Sequence, residues 1–209
     1  GMELGQPYAA PARPDSYLAR LDLPFDRPLR IAAWTEAWDG IEIDPECLTA
    51  VDRAEQVLVD LGHQVVRQAP PPIKYASFIG AIIDVMCGSV AVTVNGFLLN
   101  KPAPDLRDLL EPAILDAYHR GTRLGAEAYA LAITRFHGIA RQMATYMQDC
   151  DVILTPTLTQ LPTPLGTLSM AGDFESFRRK AGRYTAFLAI INASGQPAAS
   201  LPLHWTAQG

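Results

Sequence analysis

The residues best equipped for chemistry lie in one stretch, DVILTPTLTQLPTPLG, from Asp151 to Gly166. Val152-Ile153-Leu154 reads as a buried strand that runs straight into Thr155-Pro156-Thr157, a prolyl turn flanked by hydroxyls. Such a turn presents hydroxyls and free carbonyls at a strand's end, where they line a pocket or satisfy their own backbone. Elsewhere the chemistry is thinner. A serine nucleophile needs a base and a sharp glycine turn that exposes its oxygen. Neither a G-x-S-x-G elbow nor a Gly-Ser-Ser-Gly loop occurs, and Gly88-Ser89 and Ser194-Gly195 read as close helix packing and a helix end. Ser176 and Lys180 share one helix face at i and i+4, but with Arg178, Arg179 and Arg183 beside them they read as a solvated basic face. The remaining lysines are Lys74 and Lys101. His63, His119, His137 and His204 are isolated, and Cys47, Cys87 and Cys150 form neither a C-x-x-C pair nor a zinc-like spacing with them. The cysteines, each in apolar company, read as buried structural residues. The phosphate-cradling glycine motifs are missing, so nucleotide binding has no support, and no metal or organic cofactor is expected.

Bulk properties narrow the partners. The 209 residues, 49% apolar and 19% charged, suffice for one substantial core. A net charge of -5 lacks the basic footprint of a nucleic-acid binder, so no nucleic acid is expected. The run from Phe78 to Leu99 is long enough to span a bilayer, yet Asp84, Ser89, Thr93 and Asn95 interrupt it. A buried helix of a soluble protein, with no membrane partner, is the expectation. Dispersed thiols without a signal segment point to the cytoplasm.

The elements that must position these residues follow from caps and periodicity. Residues 1–28, rich in Pro, Ala and charge, read as an extended lead-in to a single α/β domain over 29–209. Leu29 to Trp34 is a short strand, and Asp44-Pro45-Glu46 is an N-cap with proline at the first helical position. Cys47, Val51, Ala54, Leu58 and Leu61 then mark one apolar face, and Gly62 supplies the left-handed stop. His63 to Val66 is a second strand, closed by Pro70-Pro71-Pro72, so the unit is β-α-β. Helices are predicted over 74–98, from Asp105 with a restart at Pro112 to Gly121, over 126–148 and over 174–193. Ala198 to Leu203 reads as a last strand, and a strand so apolar near the chain's end suggests that both ends are cut from something larger.

Several of these segments together resemble the amidase signature family of serine amidohydrolases. The strand from Leu29, Ile43-Asp44-Pro45-Glu46-Cys47 and Leu61-Gly62-His63-Gln64-Val65 are similar to consecutive pieces of that family's C-terminal half. So are Asp151 to Thr157 with Pro162, Pro164 and Gly166, and Asn192-Ala193-Ser194-Gly195-Gln196-Pro197 through Pro202. Arg141 ahead of Asp151, and the length of the loop, look most like the 6-aminohexanoate-cyclic-dimer hydrolase branch. The resemblance implies an α/β fold with a mixed sheet and flanking helices, and a small-molecule amide as substrate of the complete enzyme. It implies a pocket wall at Thr155, Pro156 and Thr157, with Asp84, Cys87 and Asn192 as weaker candidates. It also implies a catalytic lysine and two serines that this sequence does not contain, so no catalytic residue is assigned and the chain alone is expected to be inactive. The competing expectation is a non-catalytic binding domain, a homodimer or other association that covers an exposed sheet edge.

Overall fold

The apolar run after Leu29 becomes the central strand, β1 (Arg30–Ala33), in the computed structural model, which describes residues 4–5, 16–99 and 105–207. Ile31, Ala32 and Ala33 are all buried, as expected of a parallel strand covered on both faces. β2 (Gln64–Arg67) pairs with one side, Ile31 opposite Val65, and β3 (Val152–Leu154) with the other, Ile31 opposite Val152. The order is β2-β1-β3 and both pairings are parallel. The expected α/β class therefore holds, while the sheet is parallel among the described residues where a mixed one was expected. Each return to the sheet passes through helices, which is what a parallel pairing requires.

Between β1 and β2 runs α2 (Pro45–Asp60), preceded in the chain by a short helix, α1 (Tyr17–Leu21). Asp44 caps α2 by accepting the Glu46 N–H at 2.8 Å, and Gly62 takes a φ of +87° after its end. Val51 and Ala54 are buried against the sheet, as their spacing predicts, but Leu61 is exposed. It lies at the helix end beside the edge strand β2, where no further layer covers it among the described residues. α1 corrects the reading of residues 1–28 as wholly extended: Ser16 accepts the Ala19 N–H at 3.1 Å and starts a turn that composition alone conceals. Residues 6–15 of that lead-in, and Lys101, lie outside the described residues.

A helical block separates β2 from β3: α3 (Tyr75–Leu98), α4 (Pro112–Gly121) and α5 (Ala126–Tyr146). α3 is long and apolar enough to cross a membrane by length and composition. In this fold it packs against α4, α5 and α6 (Phe174–Tyr184), with Phe78, Ile79, Ile83 and Cys87 in the core and Val92 and Phe97 exposed. The helix predicted over 174–193 is broken at Thr185 (φ −108°, ψ 33°) into α6 and α7 (Ala186–Ser194). The cause is Thr159, 1% exposed, whose hydroxyl donates to the Arg183 carbonyl at 2.9 Å and whose N–H donates to the Tyr184 carbonyl at 3.1 Å. Those carbonyls serve the loop and not the next turn of helix.

Asp151, at the entry to β3, ties the sheet to the segment before it. Its carboxylate accepts from Arg27 at 2.7 and 2.9 Å, from the Arg30 guanidinium at 3.0 Å and from the Arg30 N–H at 2.8 Å. Hydrogen bonds from Arg27, then from Arg30, hold its pKa far below the ordinary carboxylate range. A carboxyl depressed in the folded state contributes stability that is present above its unfolded pKa, about 4, and is lost as pH falls toward the folded value. Asp151→Asn is therefore expected to be less stable than the parent at pH 7, with the gap closing as pH falls below about 4. Denaturation midpoints measured from pH 7 to pH 2 check this, and a gap independent of pH would show that the charge is not what matters.

Candidate functional site

A cleft of about 410 Å³ opens where the sheet's β3 ends. Leu154, Thr155, Pro156, Thr157 and Leu158 form one wall, Glu46 to Ala54 of α2 a second, and Ala199 to Thr206 a third. Ligands of open parallel sheets bind outside the carboxyl ends of the strands, because loops there diverge and helix starts face the opening. The three residues expected as a pocket wall therefore do line a cavity. Pro156 is buried, while Thr157 is exposed and its hydroxyl lies 3.1 Å from that of Ser200.

The third wall corrects the expected last strand. Residues 198–203 form no ladder, and the Leu203 N–H instead donates to the Leu201 carbonyl at 2.9 Å. Pro197 and Pro202 carry no N–H to donate, and the segment lies against α2 and the loop after β3 where a neighbouring strand edge would be needed. It is held by His204, whose Nε2 sits 2.8 Å from Glu46 Oε1. The His204 side chain is 9% exposed, and its Nδ1 is buried without a partner among the described residues. Glu46, Cys47, Ser200 and His204 are the cleft residues that sequence reasoning missed. Glu46 reads only as a helix start, and the 158 positions between it and His204 leave no local signal of the pair.

Asp84 and Cys87 line a different cavity, of about 540 Å³, bounded by α3, α4 and the turn into α5. Cys87 is buried, and desolvation pushes its thiol up while Arg120 opposes the shift. Asn192 lines neither cavity. It is exposed in the last turn of α7, its carbonyl accepting the N–H of Gly195, which takes the left-handed φ of +74°. The expected residues thus divide between two cavities and a helix end. Cys150 is buried like Cys87, while Cys47 is only partly so, at the edge of the first cleft.

Ser176 and Lys180 are both exposed on α6. Their face is not uniformly solvated, as was expected. Arg179 pairs with Glu175 at 2.7 Å, but Arg178 turns inward, its Nε buried without a partner among the described residues and its pKa lowered by burial. Helical spacing places Arg178 one residue round from Arg179, so it faces the Tyr75 side of the core. No group of three or more His, Cys, Asp and Glu side chains suited to a metal occurs among the described residues.

A small parallel sheet with flanking helices and a cleft at the strand ends defines an α/β protein. The amidase family model matches residues 3–209, and the chain belongs to that family. Among curated relatives it is 26% identical over 176 residues to 6-aminohexanoate-cyclic-dimer hydrolase of Pseudomonas sp. (strain NK87), covering 80% of this chain and 35% of that protein. It is 29% identical over 189 residues to the putative amidase AmiC of Mycobacterium leprae (strain TN), covering 87% and 38%. A solved structure of 6-aminohexanoate cyclic dimer hydrolase superposes with a TM-score of 0.83 at 25% identity, covering 100% of this chain and 45% of that one. The family resemblance read from the motifs is borne out. The chain spans only about a third of the length of these curated relatives.

Proposed function

We propose that this chain is the non-catalytic, C-terminal portion of an amidase whose substrate is a small carboxylic amide, and that the loop Thr155-Pro156-Thr157 is part of that substrate's pocket wall. The observation that supports the reading is the cleft at the carboxyl end of β3, where these three residues meet α2 and the Ser200–His204 segment. Hydroxyls at Thr155, Thr157 and Ser200 can orient an amide by hydrogen bonds, and Val51, Leu154, Leu158 and Leu203 can take its carbon skeleton. Hydrolysis would pass through transfer of the acyl group to a serine hydroxyl, release of the amine, and then transfer to water. In this reading the nucleophile and the oxyanion donors would come from a Gly/Ser-rich loop, and the proton transfer from a separate lysine, none of which is in this sequence. Asp84, Cys87 and Asn192 take no part in this cleft. The outer side of β3 has no strand partner among the described residues, which supports an edge-covering association as part of the same reading.

The purified chain is expected to show no turnover of linear or cyclic amides above the buffer rate. Ammonia or amine release, measured beside the variant Ser176→Ala/Lys180→Ala, checks this. Turnover by the parent chain that the variant lacks would place a working nucleophile within this sequence and overturn the proposal.

A further inference from the structure

Charge is missing from two long stretches of this chain. No Asp, Glu, Lys or Arg occurs over 152–172 or over 184–209, although 19% of the residues are charged. Both stretches contribute to the cleft beyond β3, where Glu46 is the one such side chain in the lining among the described residues. Its carboxylate is already taken by His204 Nε2 at 2.8 Å.

The segment that forms the third wall turns its side chains the opposite way from an ordinary surface loop. Ser200 and His204 are spent inward, on Thr157 and Glu46, while Leu201, Leu203 and Trp205 stand 67%, 51% and 73% exposed. Leu161, from the loop after β3, is exposed in the same lining. Apolar residues scattered singly over a surface need no cover, but these four together expose on the order of 500 Å², a patch large enough to mark a contact surface. The N–H groups of Ala198, Ala199, Ser200 and Leu201 donate to no backbone carbonyl among the described residues. Open main chain of this kind is a template for another extended segment.

Charge decides what covers the face. The chain carries a net charge of -5, so two copies repel wherever their charged surfaces meet. The cleft face, with its one carboxylate paired, is where they approach without that penalty. Such a patch is complementary to itself: about a twofold axis, apolar side chains meet the same side chains, and open backbone runs antiparallel to open backbone. A partner in a standard interface buries about 800 Å², just over half of it apolar, with charge depleted and Trp enriched at the centre. The area and composition of this face match that need.

We propose that the face formed by Leu161 and segment 201–205 is a twofold interface with a second copy of this chain. The inference stands on apolar area and absent charge, does not use the open edge of β3, and goes beyond the amide-hydrolysis reading. It holds whether or not the cleft ever takes an amide.

Sedimentation equilibrium of the full chain from about 1 to about 100 μM tests it. The expected result is a monomer–dimer equilibrium that goes no further, because a twofold contact closes at two copies. Leu203→Asp is expected to weaken dimerisation about tenfold or more by setting a carboxylate against its own copy, and Trp205→Ser to do so by removing the largest side chain of the patch. Leu61→Asp, exposed beside β2 and outside this cleft, should leave it unchanged. Raising salt from about 0.05 to about 0.5 M should not weaken the dimer, since no ion pair holds it and the net charges are screened. A monomer throughout the concentration range would overturn the proposal and leave the face to an unlike polypeptide. Species growing beyond the dimer, dissociation by salt, or equal losses for Leu61→Asp and Leu203→Asp would overturn it too. Both interface residues are exposed in the single chain, and melting temperatures matching the parent's show that a loss is one of association and not of folding.

Discussion

Gly121→Ala is expected to destabilise the protein by about 3 kcal/mol, at the upper end of what overpacking usually costs. Gly121 closes α4 against α3, and a Cβ there would lie 2.0 Å from the Cys87 carbonyl oxygen, 2.6 Å from its carbon and 2.9 Å from the Ala91 Cβ. Two of these are backbone atoms in the middle of a 24-residue helix, so neither can swing aside. Relief requires the two helices to separate, and they also hold Phe78, Ile83, Ala113 and Ala117 in the core. Gly138→Ala is the control. It lies inside α5 with nothing within 4 Å of the added Cβ, so there the methyl should stabilise by about 0.5–1 kcal/mol through helix propensity alone. Chemical denaturation of both variants separates the two cases. A loss below about 1 kcal/mol at Gly121 would mean that α3 and α4 do not make this close approach.

Trp34→Ala should cost about 3–5 kcal/mol, the usual range for removing a buried large aromatic. Trp34 leaves the end of β1 at 0% exposure and stands edge-on to both Trp38 and Tyr146, with ring centres 5.6 and 5.5 Å away. Trp38 in turn stacks on Tyr75 at 5.6 Å, so one run of rings joins the sheet to α3 and α5. The Trp34 indole N–H donates to the Tyr146 hydroxyl at 2.8 Å, and that hydroxyl donates to Gln68 Oε1 at 3.2 Å. Trp34→Phe keeps most of the packing and removes the donor, so it should lose only about 1–2 kcal/mol. Equilibrium denaturation of the pair tells packing from hydrogen bonding. Equal losses for Ala and Phe would assign the stabilisation to the indole N–H and overturn the packing argument.

The features legible in the sequence are those whose cause lies within a few residues. Asp44-Pro45-Glu46 carries its own cap and proline, Gly62 its own left-handed stop, and Pro112 its own helix restart, and each appears where its chemistry places it. The family resemblance was legible for the same reason, because its motifs are strand ends and helix starts. The strand expected at 198–203 failed because a ladder needs a neighbouring edge, which no property of those residues supplies. The helix over 174–193 failed because Thr159, 24 and 25 positions away in the chain, claims its carbonyls at Arg183 and Tyr184.

The candidate site divides along the same line. Thr155, Pro156 and Thr157 were legible as residues at a strand's end, since apolar run and prolyl turn are adjacent. Among the described residues, however, the strand is an edge with Val152 exposed and Ile153 and Leu154 only partly buried, not the buried strand expected, because burial depends on the layers packed around it. That they share a cleft with Glu46 and His204, that Asp84 and Cys87 belong to another cavity, and that Asn192 borders neither follows from the packing of distant elements. The physical reason is that a cap or turn is satisfied by neighbouring backbone groups, whereas a cavity is the space left between elements. Its lining depends on how β3, α2 and the helical block pack, which no local pattern encodes.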